Sequence, residues 1–318
     1  MEPVTVARHA MATRFEIVLY GEDPSALRSA GEEALEEIDR LEDQLSLFRP
    51  TSEISHINCY GVERPVRVTP TVFRLLEQAQ RLCLETGGAF DPTVAPLVRC
   101  WGFLGGKGAM PSPQELKAAR QCVGMQWVEF DEANFTVRFT HKGMMMDLGA
   151  VGKGYAIERA ASVLVEAGVT CAFLHGGTSS SMAIGAPPGD ACWKAAIPHP
   201  CLAASSMTEG QEHSLFATVP MRNESLGVSA VWGKSFSAGG RSYGHVIDPR
   251  SGEPVQRAAL AAVVLPSATE TDALSTALLT LGPEGMDLLA RLRPNVRALL
   301  AIPGAGSGGY DLLAQGVG

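Results

Sequence analysis

The sequence predicts an α+β fold: mixed, largely antiparallel sheets with flanking helices. Three observations carry this. Residues 3–20 alternate apolar and polar side chains, the period of a half-buried strand, with Arg8 to Thr13 as the bend of a β-hairpin. Pro24 to Ser46, and a second stretch from about Thr69 to Glu85, instead repeat apolar residues every three or four positions, as a helix with one buried face does. Beyond Gly176 the pattern turns mostly to strand before helices return near the end.

Each element follows from local signals. In the first helix Leu27, Ala34, Ile38, Leu41 and Leu45 form the buried stripe. Ser52 starts a short helix, with Phe48 in the loop before it. The long helix from Thr69 stops at Gly87-Gly88. Shorter helices are expected over Thr93–Cys100, with Asp91 as the cap and Pro92 at the first position, and over Ser112–Val123. Strands are expected at Trp127–Phe130 and Thr136–Phe139, across a turn at Glu132 to Asn134, and again at Met144–Asp147. A helix from Gly152 to Ala167 leads to a strand at Cys171–Leu174. Further strands are expected at Met182–Gly185, Trp193–Ile197, Leu215–Val219 and Ser225–Ser229, and His245 is read in another. A helix opening at Ser267, one at Pro283–Leu292 and a strand at Val296–Ile302 close the fold. Pro198 to Gln211, polar and rich in small residues, is read as a mobile insertion. No repeat and no break in composition appears, so residues 1–318 are read as a single, two-lobed domain.

Composition narrows the class of partner. With 46% hydrophobic and 19% charged residues the chain has ample core for a globular protein. A net charge of −8, with no basic run, argues against nucleic acid or an anionic membrane surface. No apolar run approaches the ~20 residues of a membrane span. The first residues show neither a signal peptide nor a lipid-attachment cysteine. Seven cysteines without a CxxC pair are expected as reduced, mostly buried thiols, which suits a cytoplasmic setting.

Five segments could carry chemistry, and each also has a purely structural reading. In Ser267–Thr280, Ser267 and Glu270 fit a capping box, while Asp272 and Thr276 stack their oxygens on one helical face. That pair suits Mg²⁺, which prefers oxygen ligands and leaves room for phosphate oxygens; a capped helix whose Asp complements the dipole explains it as well. Met144–Tyr155 holds a glycine-rich turn before a helix, a seat for phosphate or an ordinary turn capped by Asp147. It matches neither a P-loop nor GxGxxG. Tyr243–Gly252 contains His245, a candidate general base or a structural histidine, followed by the turn Asp248-Pro249-Arg250-Ser251-Gly252. Thr86–Trp101 is explained by helix ends alone. In Leu45–Asn58, Phe48 could stack on a flat ligand or pack in the core. No HExxH or clustered Cys/His spacing supports zinc, and Gly177-Thr178-Ser179-Ser180-Ser181 misses the nucleophile-elbow pattern.

The order of these segments adds what each lacks alone. Met11-Ala12-Thr13, LSLFRPTSEISHIN, GGAFDPTVAPLVRCWGF, MDLGAVGKGYAIERA, HGGT, GHVIDPRSG and TDALSTALLTLG follow one another as in the FAD:protein FMN transferase (ApbE-like) family. The chain resembles that family over nearly its full length. The resemblance implies an ApbE-like domain that takes FAD as substrate, with Mg²⁺ held by Asp272, Thr276 and the backbone carbonyl of Ala150. It implies FAD contacts at Met11, Phe48, Ala89, Phe90, Asp91, Asp147, Lys153 and Val246, and a catalytic position at His245. It further implies transfer of FMN to a Ser or Thr hydroxyl of an acceptor flavoprotein, with release of AMP. Hydrolysis of FAD to FMN and AMP, or FAD carriage without chemistry, are the competing expectations. The chain departs from the family pattern at Ala12, in place of a glycine, and at Thr178, in place of Asn or Asp. It departs again at Val228-Ser229-Ala230, where a Thr-Ser-Gly-like segment is usual, and at Gly244, where a second His is common. The expected consequence is that Asp272→Ala loses metal-dependent transfer and largely keeps its fold.

Overall fold

The computed structural model describes residues 2–199, 215–304 and 309–316. The chain begins with a hairpin of β1 (Val4–Ala10) and β2 (Thr13–Leu19), closed by Met11 and Ala12 alone, a tighter bend than the one expected over Arg8–Thr13. Helix α1 (Pro24–Leu45) starts at Asp23, whose side chain accepts from the N–H groups of Ser25 and Ala26. Helix α2 (Glu53–Tyr60) is capped by Ser52, and α3 (Pro70–Glu85) by Thr69, with the two-residue strand β3 (Val66–Arg67) between them. Helices α4 (Ala95–Cys100) and α5 (Pro113–Arg120) follow, then a single 3-10 turn at Met125–Trp127 and strands β4 (Val128–Asp131) and β5 (Thr136–Phe139).

Met144–Asp147 is not a strand. Its backbone is held by other partners: the Asn58 amide donates to the Met146 carbonyl and accepts from the Met146 N–H, at 2.9 and 2.7 Å. The Asp147 N–H donates to the Pro92 carbonyl. The three consecutive methionines Met144–Met146 are all buried, held there without a ladder.

Helix α6 (Gly152–Glu166) leads into β6 (Ala172–Gly176), β7 (Ser180–Ile184), β8 (Trp193–Pro198), β9 (Leu215–Met221) and β10 (Glu224–Ala230). The expected insertion at Pro198–Gln211 ends β8 at its first residue, and from residue 200 it lies outside the described residues. A hairpin of β11 (Ser235–Ala238) and β12 (Arg241–Gly244) comes next, then β13 (Leu260–Leu265), α7 (Ala268–Leu281), α8 (Glu284–Leu292), β14 (Arg297–Pro303) and β15 (Tyr310–Gln315). His245 lies just past β12 and not in a strand. Every residue of β13 is buried, so its run of Leu, Ala and Val shows no alternation for a sequence reading to detect.

Eight strands form one antiparallel sheet in the order β1-β2-β6-β7-β10-β13-β14-β15. Helices α1, α6 and α7 cover one face through Leu35, Ile38, Ala160, Leu274 and Leu278. The β8–β9 hairpin covers part of the other, packing Ala195, Ile197, Val219 and Met221 against Leu226, Leu260 and Leu299. A smaller sheet, β3-β5-β4, sets Phe130 edge-on to Phe73 of α3. The β11–β12 hairpin lays Phe236 and Tyr243 against Trp101 and Phe103 beside α4. Among the described residues no helix is long and apolar enough to cross a membrane. Six described cysteines are free, yet only Cys83 is buried, so the expectation of mostly buried thiols is corrected; Cys201 lies outside the described residues.

Candidate active site

The start of α7 is the centre of the site, and glycines allow its neighbours to approach. A Cβ at Gly154 on α6 would collide with the Ala268 carbonyl and lie 2.7 Å from the Asp272 Cβ. A Cβ at Gly227 on β10 would strike Thr271 and lie 2.8 Å from the Asp272 nitrogen. Only glycine permits either crossing. Asp272 is 3% exposed, and its carboxylate accepts from the Gly154 N–H at 2.9 Å and the Ser180 hydroxyl at 3.2 Å. No Lys, Arg or His among the described residues pairs with it. A buried carboxylate without a protein cation is costly unless another positive charge joins it.

The helix is capped, but not as the sequence pattern suggests. Ser267 accepts from the Glu270 N–H at 3.2 Å, while the Glu270 side chain turns away to Arg293, bonding its Nε and Nη2 at 2.9 and 2.7 Å. Glu158 of α6 replaces it: its Oε2 accepts from the Ser267 hydroxyl at 2.7 Å and the Thr269 N–H at 2.9 Å. The capping box is therefore half formed, and a carboxylate from another helix completes it.

A cleft of about 510 Å³ opens beside this helix start. Phe90, Asp91, Asp147, Ala150, Lys153, His245, Val246, Asp272 and Thr276 all line it. Met11, Phe48 and Ala89 do not. Phe48 is 73% exposed, which removes the core-packing reading; Ser52 and Ser55 hold its loop by donating to the Ser46 and Leu47 carbonyls. Met11 sits half-buried in the β1–β2 turn, and Ala89 is buried. Sequence reasoning did not single out Ser180, Gly227 or Trp232 as site residues. Serine or glycine inside a strand carries no local signal of what lies beyond it.

The electrostatics of the cleft differ from one group to the next. His245 Nδ1 lies 3.3 Å from the Lys234 carbonyl, which assigns the proton to Nδ1 and leaves the Nε2 lone pair free. Burial lowers its pKa, and the Lys234 and Lys153 charges lower it further. Burial pushes the Asp91 carboxyl up, against hydrogen bonds from the Thr93 hydroxyl at 2.6 Å and the Thr93 N–H at 2.8 Å. Burial likewise raises Asp147, opposed by the Gly149 N–H and by Lys153. Asp147 caps the turn through Gly149 at 2.8 Å; Val151, not Asp147, is the N-cap of α6. The Gly152 N–H is taken by the Leu148 carbonyl and that of Gly154 by Asp272, so the phosphate seat is narrower than a bare helix start. Thr178 and Ser179, in the turn between β6 and β7, also line the cleft.

The oxygen-only donors Asp272, Thr276 and the Ala150 carbonyl suit a hard divalent cation, and the uncompensated Asp272 carboxylate fits that assignment. Among the described residues no cluster of three or more His, Cys, Asp or Glu offers an alternative metal site.

Residues 11–300 match the model of the ApbE family. The chain belongs to the ApbE family. A Treponema pallidum relative named FAD:protein FMN transferase is 28% identical over 312 residues, covering 93% of this ApbE-family chain and 84% of its own. A Vibrio cholerae relative of the same name is 30% identical over 257 residues, 78% of this chain and 73% of its own. The ApbE protein of Thermotoga maritima has the same fold, with a TM-score of 0.85 at 25% identity over 99% of this chain and 97% of that one. The flavin transferase ApbE of Vibrio cholerae gives 0.81 at the same identity and coverage.

Proposed function

We propose that this chain is a flavin transferase that moves FMN from FAD to a Ser or Thr hydroxyl of an acceptor flavoprotein. The product is a phosphoester, and AMP leaves. The observation that carries the reading is one cleft shared by a histidine with a free Nε2, a lysine at a helix start and a buried carboxylate without a protein counter-ion. The family relatives named FAD:protein FMN transferase support the same reaction.

In this reading the Ala150 carbonyl, Asp272 and Thr276 hold Mg²⁺, which when bound supplies charge neutralisation on the pyrophosphate and on the departing AMP. Lys153, whose ammonium donates to the Gly149 carbonyl at 3.2 Å, adds positive charge from the start of α6. Phe90, Asp91, Asp147 and Val246 line the cleft and would contact the flavin nucleotide; Met11 and Ala89 keep their FAD role from the family resemblance alone, and Phe48 is an exposed ring able to stack on a flat ligand. His245 Nε2 takes the proton of the acceptor hydroxyl as its oxygen attacks the FMN phosphorus; the bond from that phosphorus to the AMP oxygen breaks. The proposal extends to a cytoplasmic setting, which free thiols suit.

The test incubates the protein with FAD, Mg²⁺ and a candidate acceptor domain. Covalent flavin fluorescence on the acceptor, lost with EDTA, is the expected result. FMN and AMP with no labelled acceptor would replace transfer by hydrolysis, and unaltered bound FAD would replace both by carriage.

A further inference from the structure

We infer that Ser229 is a positioning residue that accepts the hydroxyl proton of Thr276 and so leaves the lone pairs of that oxygen free for a cation. The inference rests on the magnesium reading above and concerns a residue that lines the same cleft but is given no metal or flavin contact by that reading. Ser229, on β10, lies 2.9 Å from the Thr276 hydroxyl and 2.9 Å from the Ser275 hydroxyl, both on α7. Ser275 is also 3.0 Å from the Asp272 carbonyl, and Thr276 is 3.3 Å from the same oxygen.

Proton accounting gives this cluster a direction. Each hydroxyl has one proton and two lone pairs, and the carbonyl only accepts. Ser275, the nearer of the two, donates to the Asp272 carbonyl. Ser229 then donates to Ser275 and accepts from Thr276, so every proton is placed. In the opposite direction Ser229 would donate to Thr276 and occupy one of its two lone pairs, leaving a single one for a cation. A positive charge in the cleft repels a hydrogen pointed at that oxygen, so metal and relay select the same direction. The Asp272 carboxylate is fixed in the same manner by the Ser180 hydroxyl and the Gly154 N–H. Gly227, two residues before Ser229, is what lets β10 reach α7 closely enough for the relay. Without Ser229 the Thr276 proton competes with Ser275 for one carbonyl, and the oxygen loses its preferred orientation.

The experiment titrates Mn²⁺, as a probe for Mg²⁺, into the full chain without FAD or acceptor and reads free Mn²⁺ by paramagnetic resonance. Ser229→Ala is expected to raise the Mn²⁺ dissociation constant roughly 10-fold or more, and Ser229→Thr to restore it. In a Thr276→Val background the same Ser229→Ala change is expected to cost less than about twofold, because its route of action is gone. Metal-free melting curves check that each variant is folded; Ser229→Cys, with its weak acceptor sulfur, replaces an alanine variant that does not fold. Wild-type affinity in Ser229→Ala, or an equal loss in both backgrounds, overturns the inference. Asp272→Asn separates it from its premise: if that variant binds Mn²⁺ like wild type, the metal reading itself fails and takes this inference with it.

Discussion

At His245 the Lys234 carbonyl holds the Nδ1 proton, while burial and two lysine charges keep the imidazole below its ordinary value near 6.5. In the proposed reaction the neutral form is the base, so it is lost as pH falls through that lowered pKa. We expect kcat/KM for transfer to rise with pH through a pKa below about 6.5 and to stay flat above it. His245→Ala that still transfers FMN at the wild-type rate would remove this role. Ala12 offers a second residue-scale prediction. Its φ of +59° lies in the left-handed region, where a Cβ costs about 1–2 kcal/mol, part of which glycine returns as unfolded-state entropy. Ala12 is exposed, so nothing packed is lost, and Ala12→Gly should stabilise by about 0.5–1 kcal/mol in denaturant unfolding. The departure from the family glycine thus carries a cost in strain that sequence comparison does not show.

At the scale of elements, the crossing of α6 and α7 is the joint on which the metal reading depends. Gly154→Ala must push the helices apart against the Ala268 carbonyl, and we expect a loss of about 1–3 kcal/mol together with weaker Mn²⁺ binding. A variant with unchanged stability and affinity would show that the joint has slack. Below that joint, Arg293 ties α7 to α3 through Glu270 and Glu85, at 2.7 and 2.8 Å, all three side chains being mostly buried. The Arg293 hydrogen bonds hold the Glu270 carboxyl below its ordinary value. A carboxylate with a depressed folded pKa stabilises above its unfolded value and loses that contribution as pH falls through the folded one. Arg293→Ala should therefore cost about 2 kcal/mol at pH 7 by chemical unfolding, and much less at pH 3. An equal cost at both values would assign the effect to packing of the arginine stem.

Over the whole molecule, the cleft is assembled from the α3–α4 link, the turn before α6, β10, the segment after β12 and α7. Those segments are far apart in sequence, so the unfolded chain has no site and any ligand of the cleft binds the folded state alone. FAD with Mg²⁺ at about 100 times its dissociation constant should add about 2.7 kcal/mol, seen as a rise of several degrees in melting temperature that EDTA reduces. The same tertiary view tempers the expectation for Asp272→Ala. Removing the carboxylate leaves the Gly154 N–H and the Ser180 hydroxyl buried without an acceptor, a cost of about 1–3 kcal/mol each. Asp272→Asn, which keeps the shape, is the cleaner test of the metal role.

Much of the fold was legible where a signal is local. The hairpin over residues 3–20, α1, α3 and the helix opening at Ser267 follow from alternation, apolar spacing and caps, which depend only on neighbours in sequence. The candidate residues Asp272, Thr276, His245 and Lys153 were singled out through motif order, and one cleft brings them together. What sequence could not decide depends on partners distant along the chain. Met144–Asp147 lost its ladder to Asn58 and Pro92, and β13 hid in an unbroken apolar run. Glu270 left its capping box because Arg293 is a stronger partner, and Glu158 arrived from α6 to replace it. A helix start carrying one carboxylate and one hydroxyl is written in the sequence. Only the close approach of α6 and β10 at Gly154 and Gly227 buries that carboxylate without a counter-ion. Burial is a property of the packed whole, and it is what makes this polar helix end a candidate place for a cation.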